Sequence, residues 1–131
     1  MNISYLIAAL FAVSLTASHV VAGEGFFFKG IREYPKTMWG DGDTTIRLMK
    51  GAWHMLSWVM LGSAGTLLVM ALTDYIDPPS RVALSWLLIL GWTGATVSYL
   101  RYALSKPEML RRAPIWINTL GTVAFTWLGI R

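Results

Sequence analysis

The stretch GAWHMLSWVMLGSAGTLLVMALT, residues 51–73, decides the fold. It contains no Asp, Glu, Lys or Arg over 23 residues. A helix rises about 1.5 Å per residue and a hydrocarbon core is about 30 Å thick, so this stretch is long enough to cross a bilayer. Three further stretches, roughly 3–23, 82–100 and 113–130, are equally free of charge. All 11 Lys and Arg and all 7 Asp and Glu lie outside the four. The chain therefore reads as all-α, a polytopic membrane protein built as a four-transmembrane-helix bundle. A single integral membrane domain of residues 1–131 is expected, with helices at about 3–23, 44–73, 81–103 and 113–130.

The basic residues assign the sides. Lys29, Arg32, Lys36, Arg47 and Lys50 lie between the first two spans, and Arg101, Lys106, Arg111 and Arg112 between the last two. Only Arg81 and Arg131 fall on the opposite side. By the positive-inside rule both connectors are cytoplasmic and both termini face the outer, periplasmic side of a bacterial inner membrane. The net charge of +4 then reflects topology and contact with anionic headgroups. No basic patch interleaves with exposed aromatics, so no nucleic acid is expected as a partner. The absence of cysteine excludes disulfides, thiolate metal sites and covalent c-type haem. Val20-Val21-Ala22 resembles a signal-peptide cleavage site, but residues 1–5 lack the positive n-region, so the first helix is read as retained.

Between the first two spans, residues 24–43 read as a loop held at the interface by Phe26, Phe27, Phe28 and Trp39; Arg111 and Arg112 anchor the last connector in the same way. Asp43 is the expected N-cap of the second helix. Pro78 and Pro79 are expected to exclude helix continuation in the turn after it. Ser105 and Glu108 have capping-box spacing before a short interfacial helix. Small residues mark faces for close packing: Ala8, Ala12, Ser14, Ala17 and Ser18 on the first helix, Gly62–Gly65 on the second, and Gly91, Gly94, Ala95 and Ser98 on the third. Trp58 and Trp92 lie deepest of the tryptophans and read as packing residues. The dispersed methionines read as core filler.

Both histidines, His19 and His54, fall inside spans, each about one turn from the cytoplasmic side. Three chemistries fit the pair. They can form interhelical hydrogen bonds to Ser, Thr, a backbone carbonyl or Glu24. They can hold a b-type haem or, with Glu24 or an aspartate of the connector, a divalent metal. They can form a ligand or proton site near the cytoplasmic face. Arg47, at the start of the second helix, shares a helical face with Lys50, His54 and Trp58. Asn118 is the most polar residue at depth and reads as an interhelical amide clamp. No carboxylate lies mid-span, which argues against a proton-coupled four-helix transporter. Neither a phosphate loop nor a nucleophile–base pair is present, so no enzyme activity is expected.

The run His19-x3-Gly23-Glu24 in the first helix, with Arg47-x5-Trp53-His54 in the second, resembles a pattern in small bacterial four-helix inner-membrane proteins. The resemblance covers about the first sixty residues. It implies the membrane fold and picks out His19, Glu24, Arg47 and His54 as the group to inspect; it implies no activity. The leading expectation for function is a non-enzymatic accessory or scaffold subunit, with the lipid bilayer and other membrane subunits, or a second copy, as partners. A haem- or metal-binding protein using His19 and His54 is one alternative. A small transporter or lipid- or quinone-binding module is the other.

Overall fold

The structure is a computed structural model describing residues 1–30, 37–38, 40–105, 107–113 and 115–131, and only the backbone at Tyr102 and Arg112. Among the described residues there is no strand, only helix joined by short connections. The elements are α1 (Ile3–Ala22), a π-helical turn (Gly23–Phe27), α2 (Phe28–Gly30), α3 (Gly42–Leu72), α4 (Pro78–Ala103), α5 (Glu108–Arg112) and α6 (Ile115–Ile130). Three helical segments are long and apolar enough to span a membrane: Ile3–Gly30, Gly42–Leu72 and Pro78–Arg101. The apolar α6 has 16 residues and is about 24 Å long.

Several boundaries differ from expectation, each for a local reason. The first helix does not end at residue 23. It continues through one wide turn, in which the Phe28 N–H donates to the Gly23 carbonyl, and finishes at Gly30. The π turn makes use of Gly23 and Gly25 without breaking the rod. Asp43 does not cap α3. Asp41 does, accepting from the Thr44 N–H at 2.8 Å, because Gly40 at φ 135° and the Thr37–Gly40 bridge turn the chain one step earlier. Asp43 instead lies in the first turn and pairs with Arg47. The two prolines do not lie outside a helix; they open α4, where their missing N–H groups cost nothing, and Asp77 caps it through the Ser80 N–H. The short α5 is present, preceded by Pro107 with no side-chain cap bond.

Backbone neighbours run in the order α3, α1, α6, α4, so α1 and α6 are the central pair. Small side chains permit this. Ala8, Ala9 and Ala12 of α1 are buried, as are Thr119, Thr122 and Thr126 of α6. Each of these threonine hydroxyls donates to a carbonyl of its own helix, so burial leaves no orphan group. Gly121 lies against the Phe11 ring and Gly129 against the Tyr5 ring, closer than any Cβ would allow.

At the end of the bundle that holds both chain termini, Asn2 joins three helices. Its Oδ1 accepts from the Tyr5 N–H, its N–H donates to the Ala71 carbonyl at 2.8 Å, and its Nδ2 donates to the Gly129 carbonyl at 3.0 Å. Beside it the buried Tyr5 hydroxyl bonds Ser85 Oγ at 2.8 Å, linking α1 to α4. Arg81 Nη2 donates to the Thr73 and Ile76 carbonyls and so braces the α3–α4 turn. Here α3 and α4 meet through a core that includes Leu67, Met70, Met60 and Trp92. Trp58, by contrast, faces outward.

The expected small-residue faces are used unevenly. Ala64 of α3 is buried, but Gly62 and Gly65 have open space where a Cβ would stand. On α4 the glycine face is not the packing face: Gly91 and Gly94 look out, while Ser85, Ile89, Trp92 and Thr96 are buried. Ser14, Ala17 and Ser18 of α1 are likewise exposed.

Candidate functional site

The predicted group lies where α1 runs into the π turn beside the first half of α3. Its hub is Trp53. One face of the indole stacks on His19, with centroids 4.0 Å apart and planes at 11°. The other stacks on Phe27 at 5.4 Å, and Phe28 meets its edge. The indole N–H donates to the His19 carbonyl at 3.0 Å. Gly23, one turn after His19, has the indole directly above its Cα, where any side chain would overlap the ring. The π turn adds a residue, and so about 100° of rotation, before Phe27 and Phe28 reach the same ring.

The two histidines do not share a partner. His19 Nδ1 lies 3.1 Å from Ser57 Oγ, and the Ser57 hydroxyl donates to the Trp53 carbonyl. His54 Nε2 lies 2.9 Å from Glu24 Oε1, and Lys50 Nζ donates to Glu24 Oε2 at 3.3 Å. Glu24 thus bridges Lys50 and His54 across the two helices, all three half-buried. Both histidines bond across the helices, one of the three chemistries open to the pair. Arg47 stands apart from this group, bonded to Asp43 at 2.9 Å on the exposed side of α3.

Among the described residues no three His, Asp or Glu side chains are arranged to hold a metal ion. Nor do the histidines border one space, as two axial ligands of a haem must. His19 lines a cavity, described next, that His54 does not reach.

That cavity is the second component of the site. It lies between α1, α3, α4 and α6, occupies about 450 Å³, and opens laterally. Its walls are mostly apolar: Leu15, Leu56, Met60, Ala95 and Ile115, with the rings of Trp53 and Trp92. Polar groups enter from His19 and Asn118. The Asn118 side chain is not the expected clamp between helices. Its amide makes no hydrogen bond to any described residue, and Asn118 borders the cavity. Cavity volume and lining match the usual form of a small-molecule site, a largely apolar cleft with few polar groups.

The interface anchors divide. Phe26 is exposed, Phe27 is partly so, and Phe28 is no anchor: it is buried against Trp53 with Lys50 Nζ 5.3 Å from its ring centre. Arg111 is exposed on α5. Trp39 and the Arg112 side chain lie outside the described residues.

Sequence reasoning gave Ser57 and Asn2 no role, read Trp92 as a packing residue, and named Trp53 only within the motif that ends in His54. For Trp53 one signal was available. A glycine one turn after a histidine leaves room for a ring, and His19 and Gly23 have that spacing. No family model, no curated protein and no solved structure matches the chain.

Proposed function

We propose that this chain is a multi-pass inner-membrane protein that binds an apolar small molecule in the cleft between α3 and α4. In this reading α6 is the fourth span, and both termini face the periplasm. The bias of nine Lys and Arg against two supports that orientation. One observation carries the binding reading: a mostly apolar cavity of about 450 Å³ bordered by the His19 ring and by an Asn118 amide that bonds no described residue. An unpaired polar group away from water costs free energy, and a bound molecule that pairs it recovers that cost. The chemistry is binding and presentation: among the described residues no paired acids line the cavity.

The test is native mass spectrometry of the chain released from a mild detergent. A co-purifying small molecule is expected for the wild type and not for Ala95→Trp, which fills the cavity from α4. Identical spectra with no bound species from either protein would refute the reading.

A second reading, the accessory subunit, is favoured by a separate observation. Gly62 and Gly65 of α3, and Gly91 and Gly94 of α4, are uncovered, although small residues in membrane helices usually serve close packing. On this reading blue-native gels at endogenous expression give a band well above the 14.6 kDa chain. A lone small species counts against it.

A further inference from the structure

The cavity has a polarity that narrows its ligand. The Ser57 hydroxyl has one hydrogen, and it is donated to the Trp53 carbonyl at 3.1 Å. Ser57 Oγ can therefore only accept from His19, 3.1 Å away. In the neutral imidazole this places the hydrogen on Nδ1 and leaves Nε2 as a bare acceptor. That nitrogen bonds no described residue and is not sealed from open space. Trp53 covers one face of the ring, holding it in place. Elsewhere in the lining, Trp92 is buried, with an indole N–H that also finds no described partner. Asn118 supplies a donor and an acceptor.

We infer that His19 accepts a hydroxyl hydrogen from the ligand, which is an apolar molecule carrying a ring hydroxyl, of the phenol or hydroquinone class. The inference rests on the binding reading above and specifies it. The hydroxyl hydrogen goes to His19 Nε2. The hydroxyl oxygen and any second oxygen on the ring face the donors of Asn118 and Trp92. The aromatic walls suit a ring better than an alkyl chain, since the Trp53 and Trp92 indoles line the cavity. Ser57 is a positioning residue: it touches no ligand and acts by fixing which histidine nitrogen carries the hydrogen.

The experiment uses the full chain in nanodiscs with 15N-labelled histidine, probed with 4-butylphenol and with its methyl ether, each referenced to protein-free nanodiscs. The expected result is a His19 ring protonated at Nδ1 before ligand is added. The phenol should then bind about tenfold more tightly than the ether, because the ether leaves Nε2 unpaired. Ser57→Ala should shrink that preference while both probes still bind, since the ring is then free to carry its hydrogen on Nε2. A ring protonated at Nε2, or equal affinity for the two probes, overturns the inference and leaves the cavity reading standing. Failure of both probes to bind, with Ala95→Trp indistinguishable from wild type, overturns the two together.

Discussion

Gly23 does most to set the His19–Trp53 end of the protein, and it does so by lacking a side chain. The Trp53 indole lies over it, and from there meets His19, Phe27 and Phe28. Gly23→Ala forces the ring to move, and overpacking of this kind costs about 1–3 kcal/mol. A lowered unfolding transition in detergent and an altered near-UV signal from Trp53 are expected, with Leu10→Ala on the exposed side of α1 as a neutral control. Unchanged stability and spectrum would mean that the stack is not held by this contact. At this scale the sequence was partly legible. The polar residues that matter were visible because charge and imidazole are rare in spans. Their pairing was not, because a uniformly apolar helix carries no mark of its rotation. His19 and His54 were expected at one depth, where they could face each other. That Ser57 and Glu24 take one each follows from helix rotation and from the π turn, neither of which composition reveals.

Among the elements, helix ends were read less well than helix interiors. Charge-free runs gave the helices to within a few residues, save the first, which continues to Gly30, but caps depend on single turns. Asp41 rather than Asp43 caps α3 because Gly40 permits a positive φ just before it. The two cap carboxylates are titratable devices. Hydrogen bonds from Thr44 hold Asp41 below the usual carboxylate range, and those from Ser80 do the same for Asp77. A folded-state pKa below the unfolded one contributes stability that is complete above the unfolded value and lost as pH falls through the folded value. Helix stability should therefore be flat from neutral pH down to about 4 and decline below it. Asp77→Asn keeps the cap but cannot titrate, so thermal unfolding followed by circular dichroism should show a shallower acid decline in this variant. An unchanged acid limb would remove Asp77 from the account. The glycine faces show the other limit of sequence reading. A small residue signals that something can come close, not that it does so within one chain, and Gly91 and Gly94 look outward.

In the whole molecule, the neighbour order α3, α1, α6, α4 leaves α3 and α4 as flanks that meet through side chains. They are held together by the α3–α4 turn, and the cavity lies nearer the opposite end, beside His19, Trp53 and Ala113. Membrane helices are joined by many weak polar contacts of about 0.6 kcal/mol each, so one residue that joins three helices has unusual influence. Asn2→Ala loses a cap and the bond to Gly129 while retaining its backbone bond to Ala71. A loss of about 1–2 kcal/mol is expected in reversible unfolding in mixed micelles. A change within error would show that the clasp is redundant with Tyr5 and Ser85.

The same clasp bears on biosynthesis. Asn2 is synthesised 127 positions before Gly129. Until α6 is made, α1 holds only one of its two neighbours, and α4 meets the rest through side chains alone. Contacts this distant in sequence form late and slowly. The nascent chain therefore spends its insertion as a helical pair and an unattended third helix, exposing the surfaces that most invite quality-control proteases. Only α6, sixteen residues long, closes it into one body.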